Sequence, residues 1–250
     1  MPGSPHIDVS ADPKATAFRA AEWIRDRIGS TSDVFRIALS GGSTPRLLYT
    51  YLASPEFRDS IEWRRIELFW GDERFVPHTD ERSNYRMARE TLLAHAPVLI
   101  DHIHPILTEG DPETAADRYE AMLKSVYGAD TLAPDEPLFD LVLLGLGTDG
   151  HTASLFPGSP VLNEQTRWVL PASHPDVPRI TLTYPPLDSS DAVLFLVTGT
   201  EKADAVGGVF GGDEGLPATR LEPQGQIVWF LDEAAARDLP PEARERACQG

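Results

Sequence analysis

Cysteine is almost missing: the 250 residues contain one, Cys248. A lone thiol excludes an intrachain disulfide and any cysteine-based metal site, so the chain has to be held together by burial of apolar surface. It also permits a reducing compartment. Long apolar runs are missing too, since no stretch approaches the roughly 18 residues that a membrane span needs. The N-terminal MPGSPHIDVSADPK has no basic start followed by an apolar run, so the pattern of a secretory signal is not there. Membrane attachment is not expected, and the expected location is cytoplasmic. Positive charge is in short supply: 22 Lys and Arg face 39 Asp and Glu, a net charge of −17. A field of that sign repels phosphate backbones and anionic lipid surfaces, so nucleic acid is not an expected partner. There is no fixed-period repeat, no low-complexity tract and no Gly/Ser linker, and no obligate protein partner is evident. A single domain over residues 1–250 is expected.

Hydrophobic residues make up 41% of the chain and charged residues 24%, the proportions of a globular protein. Asp12-Pro13 opens a helix, with aspartate as cap and proline in the first turn. Ala17, Ala20, Ala21, Ile24 and Ile28 give that helix one apolar face before Gly29. Residues 34–39 then read as a buried strand, 40–45 as a glycine loop and 46–52 as a helix. The order recurs, with 66–70 as strand, 71–83 as a long polar loop and 84–95 as helix. Asp111-Pro112 starts a further helix to Tyr127, while 139–144, 192–198 and 226–231 are further strands. Strands alternating with helices imply parallel pairing through right-handed crossovers. The expected fold is α/β and Rossmann-like, a mostly parallel sheet with helices on both faces.

Ligands of such sheets sit beyond the carboxyl ends of the strands, and three loops leave those ends. SGGSTP (40–45) combines glycines that let backbone approach a ligand with hydroxyls and a helix start. Free N–H groups and the positive end of the helix dipole suit phosphate there, making Gly42, Ser43 and Thr44 candidate contacts. The same composition also makes an ordinary capped turn. WGDERFVPHTDERSNY (70–85) sets Asp72, Glu73 and Arg74 directly after a buried strand, where unpaired charge is unfavourable unless it faces a cleft. Asp72 and Arg74 are candidate substrate contacts; the alternative is a solvated loop whose charges pair with one another. Asn84 reads as a helix cap.

GLGTDGHTASLFPG (145–158) places Asp149 and His151 in a glycine-bordered loop, again after a strand. Histidine exchanges protons near neutrality, and a carboxylate two residues away can orient the ring or raise its basicity. Histidines are more often structural, but the glycine setting and the strand end favour catalysis here. Arg179, opening RITLT, and Lys202, after VTGT, are candidate phosphate ligands. His102-Ile103-His104 alternates like a strand and mimics a metal pair, yet no third ligand completes a tetrahedral site, and no metal is expected.

Six segments, SGGSTP, WGDERFVP, SNYRMARE, FDLVLLGLGTDGHTASLFPG, PRITLTYPPL and VTGTEKADAV, in that order along the chain, together resemble the 6-phosphogluconolactonase family. GLGTDGHTASLFPG is the most specific of them. The resemblance implies hydrolysis of 6-phosphogluconolactone to 6-phosphogluconate, the second step of the oxidative pentose phosphate pathway, without a cofactor. It also implies that Ser43, Thr44, Arg179, Lys202 and N–H groups of the SGGSTP loop hold the 6-phosphate. His151 would deprotonate the attacking water, and N–H groups or Arg74 would stabilise the oxyanion. Ser154, close to His151, leaves an acyl-enzyme route open.

Two other functions compete. In the related glucosamine-6-phosphate deaminases the segment resembling DERF is DEY, and the one resembling DGHTASLFPG is DGHIAFNEP. Here Ser154-Leu155-Phe156 stand where that pattern has Phe-Asn-Glu, so a proton-handling glutamate is missing. A non-catalytic sugar-phosphate sensor would be expected to have lost His151 or Asp149, and both are present.

Overall fold

Asp12 caps the first helix as its sequence requires: its carboxylate accepts the N–H groups of Lys14 and Ala15 at 2.8 and 2.9 Å, with Pro13 in the first turn. The computed structural model describes residues 5–247, so Cys248 lies outside the described residues. In chain order the elements begin with β1 (His6–Ser10), α1 (Pro13–Gly29), β2 (Phe35–Leu39), α2 (Ser43–Leu52), α3 (Pro55–Arg58), β3 (Ile66–Trp70), β4 (Asp72–Arg74) and α4 (Asn84–Ala88). They continue with α5 (Pro112–Tyr127), β5 (Leu141–Leu144), β6 (Val169–Ala172), β7 (Arg179–Leu182), α6 (Tyr184–Asp188), β8 (Ala192–Val197), α7 (Ala203–Phe210), β9 (Gln226–Asp232) and α8 (Pro241–Ala247).

Six strands form one parallel sheet in the order β1-β9-β8-β5-β2-β3. β5 and β8, with sequences LVLL and AVLFLV, are buried at every residue, as continuous apolar strands covered on both faces should be. The chain steps from β2 outward to the edge strand β3 and then returns across β2 to β5. That reversal opens a crevice at the carboxyl ends of β2 and β5, where ligands of open α/β sheets bind. The SGGSTP and GLGTDGH loops both leave from it.

A second, antiparallel sheet has the order β4-β7-β6. The polar stretch at 71–83 predicts only a loop, yet Asp72–Arg74 is a strand whose partner is far along the chain: Asp72 pairs with Thr181 and Arg74 with Arg179. Three residues are too few to show an alternation pattern. Alternation at 102–104 predicts a strand, and there the structure differs. Ile100–His102 is a 3-10 turn, Ile103 bridges Leu68, and the His104 N–H donates to the Leu68 carbonyl at 2.8 Å, covering the edge of β3. The helix expected over 84–95 is α-helical to Ala88 and widens into a π turn over Arg89–Leu93.

The buried apolar side chains form one cluster running through both sheets, with Phe195 stacked on Trp229 at 4.0 Å. Glu120 of α5 ties that helix to the second sheet. It accepts the N–H groups of Trp168 and Val169 at 3.0 and 3.2 Å, Arg167 Nε at 2.9 Å and Lys124 Nζ at 2.8 Å. Among the described residues no helix is long and apolar enough to cross a membrane.

Candidate active site

A cleft of about 270 Å³ occupies the crevice. Its first wall is the loop between β2 and α2. Gly42, at φ 112°, makes a turn that a side chain would resist, and α2 begins without a side-chain cap. The N–H groups of Ser43 and Thr44 have no partner among the described residues and border the cleft, the arrangement that suits an anion. The buried Tyr49 hydroxyl anchors the loop, accepting the Ser40 N–H at 3.0 Å and donating to the Ser40 carbonyl at 2.8 Å. Thr44 Oγ1 meets Thr198 Oγ1 at 2.9 Å, joining the loop to the end of β8. Just beyond, Gly199 turns at φ 103° with its N–H held by the buried Asp232 carboxylate at 3.0 Å. That turn brings Lys202 to the cleft, and Lys202 makes no ion pair among the described residues.

The loop after β5 supplies the second wall. His151 Nδ1 lies 2.6 Å from Asp149 Oδ1, which also accepts the His151 backbone N–H at 3.2 Å. With Nδ1 donating to the carboxylate, Nε2 carries the lone pair, the tautomer a general base needs. A Cβ on Gly147 would fall 2.0 Å from His151 Nδ1 and 2.5 Å from Asp149 Oδ1, so only glycine leaves room for the pair. Burial pushes the Asp149 carboxyl up, but hydrogen bonds from the His151 ring and backbone outweigh it and hold Asp149 below the ordinary aspartate value. The other face of the His151 ring packs on Phe156, with ring centroids 4.8 Å apart.

β4 forms the third wall and sorts its three charged residues by pleat. Asp72 and Arg74 border the cleft. Glu73 points away into the interior and is fully buried, accepting the N–H groups of Arg74, Asn84 and Tyr85 and the Ser83 hydroxyl within 3.0 Å. Burial pushes its carboxyl up to about 7 against the pull of those backbone donors. Arg74 pairs with neither neighbouring carboxylate through its side chain. Its Nη1 donates to the Arg82 carbonyl at 2.6 Å, and its buried Nε has no partner among the described residues.

Asn84 is not the cap its position suggests. Ser83 is the cap, accepting the Arg86 N–H at 3.1 Å, and the Asn84 side chain instead reaches the cleft, where Nδ2 donates to the carbonyl of Asp72 at 2.9 Å and to its Oδ1 at 3.2 Å. Ser154 is buried and its hydroxyl donates to Asp72 Oδ2 at 2.7 Å. No hydrogen bond joins Ser154 to His151, so the geometry of an activated serine nucleophile is not formed.

Gly42, Ser43, Thr44, Asp72, Arg74, His151 and Lys202 therefore share one cleft, with Asp149 supporting His151. Arg179 stands beside Arg74 in the second sheet rather than on the cleft lining. Its Nη2 lies 3.3 Å from His174 Nδ1, and its Nε is buried without a partner. Burial and the nearby Arg74 charge both lower its guanidinium from the ordinary value. Asn84 and Thr198 also border the cleft; the sequence reads Asn84 only as a helix cap and does not single out Thr198. Among the described residues no group of three His, Cys, Asp or Glu side chains converges as a metal site, and the His104 ring is stacked on Phe69 at 4.6 Å.

Comparison with known proteins adds three likenesses and a family. Residues 11–229 match the model of the family described as glucosamine-6-phosphate isomerases/6-phosphogluconolactonase. The 6-phosphogluconolactonase of Synechocystis sp. is 38% identical over 245 residues, covering 95% of this chain and 100% of that protein. That of Mycobacterium tuberculosis is 39% identical over 216 residues, 82% of this chain and 85% of that protein. Among solved structures, the 6-phosphogluconolactonase from Trypanosoma brucei superposes with a TM-score of 0.80 at 31% identity, covering 95% of this chain and 99% of that one.

Proposed function

The chain belongs to the family of glucosamine-6-phosphate isomerases and 6-phosphogluconolactonases, and on that premise we propose that it hydrolyses 6-phosphoglucono-1,5-lactone to 6-phosphogluconate, the second step of the oxidative pentose phosphate pathway. The observation that carries the proposal is a His151–Asp149 pair at 2.6 Å on the same cleft as a helix N-terminus without a side-chain cap and Lys202, which makes no ion pair among the described residues. A base and an anion cradle in one crevice fit an uncharged electrophile tethered to a phosphate.

The N–H groups and hydroxyls of Ser43 and Thr44, with the Lys202 ammonium, receive the phosphate, and Arg179 adds positive charge from β7. His151 Nε2 takes a proton from water as the water oxygen attacks C1 of the lactone. The carbonyl oxygen becomes an oxyanion, which the Arg74 guanidinium at the edge of the cleft stabilises. One such donor is worth about 100- to 1,000-fold in rate. Collapse breaks the bond between C1 and the ring oxygen, and the imidazolium returns its proton to that oxygen. Asp149 stays ionised throughout and holds the ring in the productive tautomer. Ser154 takes no covalent part, since its hydroxyl faces Asp72.

The rival deaminase reading needs a proton-handling side chain after the histidine. Phe156 packs there against the His151 ring instead. The chain acts as a single domain, a reading supported by the one apolar cluster joining both sheets. A charged sugar phosphate stays in the compartment where it is made, and the cytoplasm is the compartment we propose. The test is lactone loss above the spontaneous rate, measured alongside ammonia release from glucosamine 6-phosphate. Lactone turnover without ammonia is the expected result, and ammonia release with no lactone turnover would overturn the proposal.

A further inference from the structure

Among the described residues Asp72 is the one carboxylate bordering the cleft, on which Ser43, Thr44, Arg74 and Lys202 can donate to an anion. It is 8% exposed. An acid facing an anionic substrate is unfavourable unless it makes a contact that Arg74 and Lys202, which only donate, cannot make and that a carboxylate makes more strongly than the neutral hydroxyls. A sugar lactone needs such a contact, because its ring hydroxyls are donors and require an acceptor.

Two buried side chains decide where that acceptor points. Ser154 Oγ donates to Asp72 Oδ2 at 2.7 Å, and Asn84 Nδ2 donates to Oδ1 at 3.2 Å as well as to the Asp72 carbonyl at 2.9 Å. The amide orientation of Asn84 follows, since both partners are acceptors and only its NH2 can face them. An ionised carboxylate has about four acceptor positions, so two are left over after Ser154 and Asn84 are served. Without those donors the terminal torsion of Asp72 is broad, and the cations of Arg74 and Arg179 would draw the carboxylate out of place. Ser154 is held in turn, its N–H donating to Thr181 Oγ1 at 3.2 Å in β7.

We propose that Ser154 and Asn84 are positioning residues that fix the Asp72 carboxylate as the acceptor for a ring hydroxyl of the sugar lactone, so that discrimination against deoxygenated lactones depends on them. The inference rests on the lactonase reading above and adds to it the feature by which the site recognises its sugar.

The test compares kcat/KM, corrected for spontaneous opening, for 6-phosphogluconolactone and its 2-, 3- and 4-deoxy counterparts. In the wild type at least one deoxy lactone should lose about 10- to 100-fold, the worth of a hydrogen bond to a charged group. Ser154→Ala should slow the parent lactone but hardly change that deoxy counterpart, shrinking the ratio to about threefold or less. Ser154→Thr, which keeps the hydroxyl, should restore the ratio. A merely structural role would slow both substrates equally, and an unchanged ratio in Ser154→Ala overturns the proposal. If Ser154→Ala does not fold, Asn84→Ser carries the test, with the same contraction expected for the same hydroxyl and the same refutation. A wild type that hydrolyses the parent lactone without discriminating any deoxy form sinks this inference alone. A wild type that hydrolyses none of the lactones sinks the lactonase reading instead.

Discussion

Replacing Asp149 separates the two things a carboxylate does for a histidine: choosing its tautomer and stabilising its charged form. A hydrogen bond to a charged group contributes about 1.5–3 kcal/mol. The Asp149 side chain is 51% exposed, and solvent screening places it in the lower part of that range, about 1.5–2 kcal/mol. At 1.36 kcal/mol per tenfold, Asp149→Ala should lower kcat by about 10- to 30-fold. Asp149→Asn should be milder. Oδ1 accepts both the ring Nδ1 and the His151 backbone N–H, so an amide in that place turns its oxygen, not its NH2, toward the two donors. The tautomer is then kept and only the charge is lost, for a drop of about 3- to 10-fold. His151→Ala, which removes the base itself, should cost about 100- to 10,000-fold. KM should hold in the Asp149 variants, because the proposed phosphate contacts, Ser43, Thr44 and Lys202, lie elsewhere in the cleft. The assay is lactone consumption at saturation with the spontaneous rate subtracted. Asp149→Asn falling as far as His151→Ala would mean the amide had flipped and the pinning argument is wrong. Wild-type kcat in Asp149→Ala would mean the carboxylate does nothing for the ring.

Three further outcomes are expected. Lys202→Ala should raise KM by roughly 10- to 100-fold with kcat little changed, since it removes binding remote from the reacting carbon; steady-state kinetics with an unaltered KM would refute the phosphate role. Gly41→Ala would put a Cβ 1.9 Å from Asn84 Oδ1, and Asn84 is buried and bonded to Asp72. Overpacking of that kind costs about 1–3 kcal/mol, or roughly 2–12 °C in melting temperature, and an unshifted thermal transition would show that the loop yields freely. Glu120 is pushed up by burial but held, on balance, below its ordinary 4.5 by hydrogen bonds from Lys124, Arg167 and Val169. Its folded value is lower than its unfolded one, so its contribution is complete above the unfolded value and lost as pH falls through the folded one. Glu120→Gln should therefore be less stable at pH 7 and lose less stability on acidification below about 4.5. Urea unfolding across that range checks it, and identical acid slopes would refute it.

The parts of the fold that were legible in the sequence are those whose signal is local. Pro112–Tyr127 is bracketed by Asp111 and by Gly128 at φ 86°, and Ile66–Trp70 is a bounded apolar run; both are elements of the structure. β4 was not legible because its stability comes from pairing with β7, about a hundred residues on, and its three charged residues carry no apolar period. The cleft shows the same division. Residues at strand ends in glycine loops, Ser43, Thr44 and His151, announce themselves by composition. Asn84 carries a helix-start signal that is locally correct, yet Ser83 and Glu73 serve the helix and free its amide for Asp72. Ser154 beside a histidine suggests a nucleophile, and only the fold reveals that its hydroxyl faces the other way. Sequence proximity brought Asp149 and His151 together as the candidate base pair; the residues that orient the surroundings are joined across 10 to 82 positions.

A net charge of −17 and an anionic substrate are reconciled by distance. At physiological salt the Debye length is about 8 Å, so exposed carboxylates farther away are largely screened from a phosphate held at the start of α2. On the proposed binding mode the phosphate meets Lys202 and the N–H groups of Ser43 and Thr44, unpartnered among the described residues, with the Arg74 and Arg179 guanidinia nearby. The overall charge therefore bears on large polyanions and says little about a small one. Within the cleft, Asp72 is held by Ser154 and Asn84, and on the proposed reading that hold turns it toward the part of the sugar that carries no charge.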